Sequence, residues 1–217
     1  MTTTTDSTST MSGADPRLVF AQAVATAGAT IAAVQPAQLT HPTPCTDYDV
    51  RTLMGHLLTV LGRVALLGEG GDPLVLPLVT TGTADDTWNE TWMAAEHRVM
   101  AAWTDDETLD RLMVLPWAQV PGRAMLGIYT SELTVHTWDL ATATGQLVIW
   151  NDRVLHTSLA AARAALPNGD REAGFAAMAA KLPPHMASHT RPFGNPIDPA
   201  HDAPLIDQLV AWYGRNP

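Results

Sequence analysis

The stretch Ser131-Glu132-Leu133-Thr134-Val135-His136-Thr137-Trp138-Asp139-Leu140 decides how this chain is read. It lies in a run from Arg123 to Thr144 that has no proline and one interior glycine, and Gly145 follows in the position of a helix C-cap. The run therefore reads as one long helix. On it Glu132 and His136 are four residues apart and project from the same face, one turn above the other, so both can reach one cation. Leu126, Val135, Trp138 and Leu140 cover much of the remaining circumference, which predicts a helix buried in a bundle. A carboxylate and an imidazole buried side by side need a reason, because desolvating either without a partner is costly.

A second polar residue interrupts an apolar helical pattern upstream, in Val50-Arg51-Thr52-Leu53-Met54-Gly55-His56-Leu57-Leu58-Thr59-Val60-Leu61. The apolar positions 53, 54, 57, 60, 61 and 64 recur at helical spacing and put His56 toward the core. Two helices then offer His56, Glu132 and His136. Two neutral imidazoles and one carboxylate suit zinc, or nickel or another divalent ion, with a coordination position left open. Spacing alone leaves other readings standing. A lone helical histidine is ordinarily a core residue hydrogen-bonded to a neighbour, a Glu four residues before a His is ordinarily a surface ion pair, and nothing in the spacing brings the two halves together.

Composition bounds the rest. The 217 residues suffice for one domain with a good core and hardly for two. With 46% hydrophobic and 16% charged residues the chain falls among ordinary globular proteins, and no uninterrupted apolar run has the length of a membrane span. Met1 to Asp6 carries neither a basic nor an apolar segment, so no secretory signal is expected. A net charge of -10, with Lys181 the only lysine, argues against a nucleic-acid partner. Cys45 is the only cysteine, which excludes an intrachain disulfide and makes a reducing cytoplasm the natural setting. A nearby helix N-terminus would make its thiol reactive; the alternative is a small apolar residue in a loop.

Taken in order, residues 1–14 read as a disordered tail and 15–217 as one helical domain. Asp15-Pro16 opens a first helix through Leu18, Val19, Ala23, Ile31 and Val34, ending before Pro36. Thr46 or Asp47 is expected to cap the second, which carries His56 and ends near Gly68 to Gly71. The loop over 72–84 is long enough to be a lid. Asp85 or Asp86 starts a third helix whose Trp88, Trp92, Met93, Val99, Met100 and Trp103 are expected in the core, with His97 on its polar face. Leu112 to Leu115 suggests a short extended segment before the central helix. Beyond it, Val148 to Trp150 reads as extended, Asn151 or Asp152 caps a helix reaching Pro167, a short helix covers about 170–180, and an amphipathic helix runs from Leu205 to Tyr213. His185 and His189 are also four apart, but lie among prolines with little apolar periodicity and are not taken as a site.

The sequence Pro42-Thr43-Pro44-Cys45-Thr46-Asp47-Tyr48-Asp49-Val50-Arg51-Thr52-Leu53-Met54-Gly55-His56-Leu57 resembles the opening motif of the DinB-like metal-binding proteins, in the branch related to the N-terminal domain of mycothiol-dependent maleylpyruvate isomerase. Glu132 to Ala141, followed by Thr144-Gly145-Gln146, resembles the second motif of that branch, and the tail from Phe193-Gly194 through Asp202-Ala203-Pro204 to Gly214-Arg215 its closing segment. The resemblance implies an all-α four-helix bundle of DinB type, here with short additional helices and a small extended hairpin. It also implies His56, Glu132 and His136 as ligands of a divalent metal, with Glu132 standing where many relatives have a third histidine. The expected activity is metal-dependent use of mycothiol, or another low-molecular-weight thiol, in transfer to, or isomerisation of, a small electrophilic metabolite. Because the isomerase has an additional C-terminal domain, transfer is favoured over isomerisation. Asp139, three residues after His136, is a candidate to orient that imidazole or is a surface charge, and Arg63 is a candidate receptor for a substrate carboxylate or a salt-bridge partner. The alternatives are a metal-binding bundle without turnover and a thiol-independent metal-assisted enzyme. The expected partner is a small molecule, with a homodimer left open.

Overall fold

The computed structural model describes residues 15–116, 118–181 and 193–217. The tail expected over 1–14, Pro183-Pro184 and the His185/His189 pair lie outside them. Helix α1 (Pro16–Ala32) begins where the Asp15 carboxylate accepts the Arg17 N–H at 2.9 Å and Pro16 supplies the first helical φ. A 3-10 turn at Pro36–Gln38 leads to α2 (Val50–Glu69). Its cap is Asp49, accepting the Thr52 N–H at 2.8 Å, and not Thr46 or Asp47. A bridge between Pro42 and Asp49 and the Thr43 hydroxyl, which donates to the Cys45 and Tyr48 carbonyls, fold 43–48 into a turn before the helix can start. Gly70, at φ 81°, ends α2 in the left-handed conformation that favours glycine.

A second 3-10 turn, Pro73–Val75, opens the long loop before α3 (Trp88–Ala102), whose cap position is Thr87, later than the expected Asp85 or Asp86. The short α4 (Asp106–Asp110) and the antiparallel strands β1 (Leu112–Leu115) and β2 (Ala118–Pro121) follow, paired from Leu112 opposite Pro121 to Leu115 opposite Ala118. The central helix, α5 (Gly122–Thr144), ends at Gly145 with φ 69°. Next come α6 (Asp152–Ala165), capped by Asn151, α7 (Arg171–Ala179), capped by Asp170, and α8 (Leu205–Trp212). Val148 to Trp150 joins no strand.

The fold is all-α with one small hairpin. Helix α5 packs against α1, α2 and α6, while α3 closes on α1 and α2. The larger core collects Phe20, Val24, Leu53, Leu57, Trp92 and Leu126; the smaller, on the other side of α5, collects Val135, Leu155, Leu159, Leu209 and Tyr213. An element buried on both sides must be apolar or have its polar groups satisfied internally, and this one combines the two. Met93 on α3, expected in the core, is exposed, and so is Leu18 on α1. Each lies just off the apolar stripe of its helix, beside the buried Val19 and Trp92. Among the described helices, α2 alone has the length and composition of a membrane span, and 78% of that span is buried in the bundle.

Candidate functional site

The buried polar residues of α5 fall into two groups. On α5, Thr130, Thr134 and Thr137 satisfy their buried hydroxyls by donating to the carbonyls of Leu126, Thr130 and Leu133 one turn back, each at 2.7 Å. Glu132 and His136 make no such local bond. With His56 on α2 they offer three ligand atoms that lie within 4.8 Å of one another. The two imidazole rings meet edge to face with centroids 4.9 Å apart, and His56 Nε2 stands 3.4 Å from Glu132 Oε1. Both imidazoles are almost fully buried, at 6% and 3% exposure.

Each imidazole is held by its other nitrogen. His56 Nδ1 lies 2.8 Å from the Leu78 carbonyl, which can only accept, so Nδ1 carries the proton. The loop supplying that carbonyl is tied to α2 and contributes to the cavity wall through Leu78. Thr80 N–H donates to the Gly55 carbonyl at 3.1 Å, the Thr80 and Thr59 hydroxyls share a 2.9 Å bond, and the Arg63 guanidinium donates to the Leu76 and Pro77 carbonyls. The contact requires glycine at 55, because a β-carbon there would collide with the Thr80 carbonyl. His136 Nδ1 lies 3.0 Å from Asp139 Oδ2. Asp139 is no surface charge: it is fully buried and gripped by Arg215, whose Nε and Nη2 donate to Oδ1 and Oδ2 at 3.1 and 2.8 Å.

With both Nδ1 atoms committed as donors, a ring that carries no second proton turns its Nε2 lone pair toward the space beside the Glu132 carboxylate. Acceptors facing one another at 3.4 Å need a cation between them, either a proton or a metal ion. Burial works against the Glu132 carboxylate, but a proton held between it and His56 Nε2 in the metal-free protein, together with the nearby Arg63 guanidinium, outweighs burial and holds the group below its ordinary range. Burial pushes the His136 imidazole down against the pull of Asp139, which keeps it neutral and able to offer Nε2. For Asp139, burial is likewise overcome by His136 and Arg215, and the carboxyl stays ionised.

These groups border a cavity of about 300 Å³. Leu115, Met125, Ile128, Phe175 and Phe193 form its apolar wall, and Cys45, Asp47, Tyr48, Arg63, Tyr129 and Tyr213 bring polar atoms to it. Arg171, fully buried, donates to the Pro167, Gly194 and Trp212 carbonyls and so fastens the segment carrying Phe193 beside α8. Cys45 is not an activated thiol: burial pushes its pKa up to about 11, and α2 begins only at Val50. His97 is exposed on α3, away from the cavity lining.

The candidates His56, Glu132 and His136 are thus brought together, Asp139 lies directly behind them, and Arg63 lies in the same cavity wall. Sequence reasoning missed Arg215, Tyr129 and the Leu78 carbonyl. Tyr129 was within reach of it, one helical turn before Glu132, whereas a backbone carbonyl leaves no trace in residue type.

Residues 20–141 match the family described as mycothiol maleylpyruvate isomerase N-terminal domain. Two uncharacterized proteins of Mycobacterium tuberculosis, from strains CDC 1551 and H37Rv, are each 28% identical over 203 residues, covering 93% of this chain and 98% of the relative. No solved structure matches.

Proposed function

Because the chain belongs to the mycothiol maleylpyruvate isomerase N-terminal domain family, we propose that it is a divalent-metal-dependent enzyme that uses mycothiol, or another small thiol, as nucleophile toward a small electrophilic metabolite. The observation carrying this reading is the pair of Nε2 lone pairs turned toward one carboxylate at the edge of a cavity. Ligand atoms bonded at about 2.0–2.1 Å to a tetrahedral zinc are separated by roughly 3.3–3.4 Å, which matches the 3.4 Å between His56 Nε2 and Glu132 Oε1. His56, Glu132 and His136 are the residues that hold the ion, zinc by preference for this donor set.

A bound divalent cation lowers the pKa of a coordinated thiol and polarises a carbonyl. The chain's own residues do the rest. The Leu78 carbonyl and the Asp139 carboxylate fix both rings, Arg215 fixes Asp139, and the aromatic and aliphatic wall gives the apolar part of a small metabolite a surface to bind. A cavity of about 300 Å³ lies at the small end of ligand pockets and suits a small metabolite. A cavity beside the donors favours turnover over a merely structural ion, which needs no open side.

Metal analysis of protein purified without an affinity tag, repeated on Glu132→Ala, tests the ion: one equivalent in the wild type and loss in the variant are expected. Calorimetry of the loaded protein then tests the thiol. Absence of binding by mycothiol and other small thiols at about millimolar concentration, where even weak ligands register, overturns the thiol reading. His56→Ala separates enzyme from structural site, since an enzyme stays folded and loses activity, whereas a structural site loses thermal stability with its metal.

A further inference from the structure

Tyr129 stands on α5 one turn before Glu132 and two before His136, so positions 129, 132 and 136 share the helix face that borders the cavity. The residue is 5% exposed. Its hydroxyl has no hydrogen-bond partner among the described residues, and it is not one of the side-chain atoms sealed inside protein, so the surface it keeps opens on the cavity it lines. The other phenol of this cavity behaves differently: Tyr213 Oη lies 2.8 Å from Ser131 Oγ and is spoken for. Buried phenols ordinarily find a partner, and one left unmade is expensive. A hydroxyl left open in the cavity that the three ligand residues also line is therefore placed for something that arrives with the ligand.

We infer that Tyr129 contacts the bound small molecule, its hydroxyl donating a hydrogen bond to an oxygen or sulphur acceptor on the ligand held beside Glu132 and His136. Burial and the adjacent Glu132 carboxylate both push the phenol pKa up, so the group stays protonated and serves as a donor. No proton is transferred. A thiolate, carboxylate or enolate oxygen accepts such a bond, and a hydrocarbon of the same shape does not, so the residue selects for ligands with an electron-rich heteroatom next to the ion. The inference rests on the metal-centre reading above.

The test uses the whole chain loaded with cobalt(II), titrated with 2-mercaptoethanol and separately with acetate, and followed through the visible absorption of the metal. Tyr129→Phe removes one oxygen and keeps the ring. The variant is expected to take up the same equivalent of cobalt and to keep or raise its thermal midpoint, while Tyr213→Phe, which strips Ser131 of its partner, lowers the midpoint. The dissociation constant for at least one probe is expected to rise about tenfold in Tyr129→Phe. Equal constants for wild type and variant, failure of the loaded wild type to bind either probe, or loss of cobalt by Tyr129→Phe each overturn the inference and leave the metal centre standing. A wild type that takes up no cobalt overturns the metal centre, and the inference falls with it.

Discussion

Replacing Arg215 by methionine removes the guanidinium that grips Asp139 and keeps most of the aliphatic stem. Asp139 is fully buried and Arg215 is 8% exposed, and the guanidinium contributes bonds of 3.1 and 2.8 Å to the carboxylate and one of 3.0 Å to the Tyr213 carbonyl. The variant therefore leaves a carboxylate in the core with His136 as its remaining partner. Uncoupling a buried pair in this way costs about 3–5 kcal/mol, and the slight exposure of Arg215 argues for the lower end. At about 2–4 °C of midpoint per kcal/mol for a chain of this size, a loss of ~3 kcal/mol lowers the melting temperature by roughly 6–12 °C. Urea unfolding of metal-free protein reads the first quantity and a thermal scan the second. The double variant Asp139→Asn/Arg215→Met is expected to recover part of the loss, since it also removes the stranded charge. A loss under about 1 kcal/mol in Arg215→Met, typical of an exposed ion pair, refutes the reasoning, because it means that Asp139 is solvated despite its position. The same clamp sets the ring of His136, so Asp139→Ala is expected to weaken metal binding about 10–100-fold in a competition assay with a chelating dye.

Stability of the metal-free protein depends on pH in a defined direction. His136 is held below the 6.5 of a free imidazole by burial, and Asp139 and Glu132 are held below 3.8 and 4.5 by their partners against burial. A depressed folded-state pKa means that the unfolded chain binds more protons, so the contribution is complete above the unfolded value and is lost as pH falls. Melting temperature is expected to be level above neutrality, to fall from about pH 6.5 downward, and to fall faster through the carboxylate range; His136→Gln flattens the upper part. A curve that rises on acidification from neutrality contradicts these assignments. Gly55→Ala drives a β-carbon into the Thr80 carbonyl, and since backbone cannot yield like the end of a side chain, the cost in urea unfolding is expected at about 1–3 kcal/mol, with weaker metal binding as the Leu78 carbonyl leaves His56. With its thiol pushed up to about 11, Cys45 is expected to react with iodoacetamide at pH 8 roughly a hundredfold more slowly than a free cysteine; labelling at the free rate shows that its side chain is not buried as described.

The helical periodicities were enough to give α5, α2 and the cap at Gly145, because local hydrogen bonding and the apolar stripe act within a few turns of chain. They also put Glu132 and His136 on one face, since residues four apart on a helix have no choice in the matter. The start of α2 was misplaced by two to three residues because a bridge across the preceding turn, from Pro42 to Asp49, competes with the cap that propensity favours. Convergence of His56 with that face was not local information: it follows from the packing of α2 on α5, which depends on apolar surface spread over both helices. The partners behind the site lay further out of reach. Arg215 comes to Asp139 from the far end of the chain through α8, and the atom that orients His56 is a carbonyl, which every residue type possesses. Sequence thus fixes which groups each helix can present, while tertiary packing decides which of them meet, because contact energy is gained only where distant surfaces exclude water together.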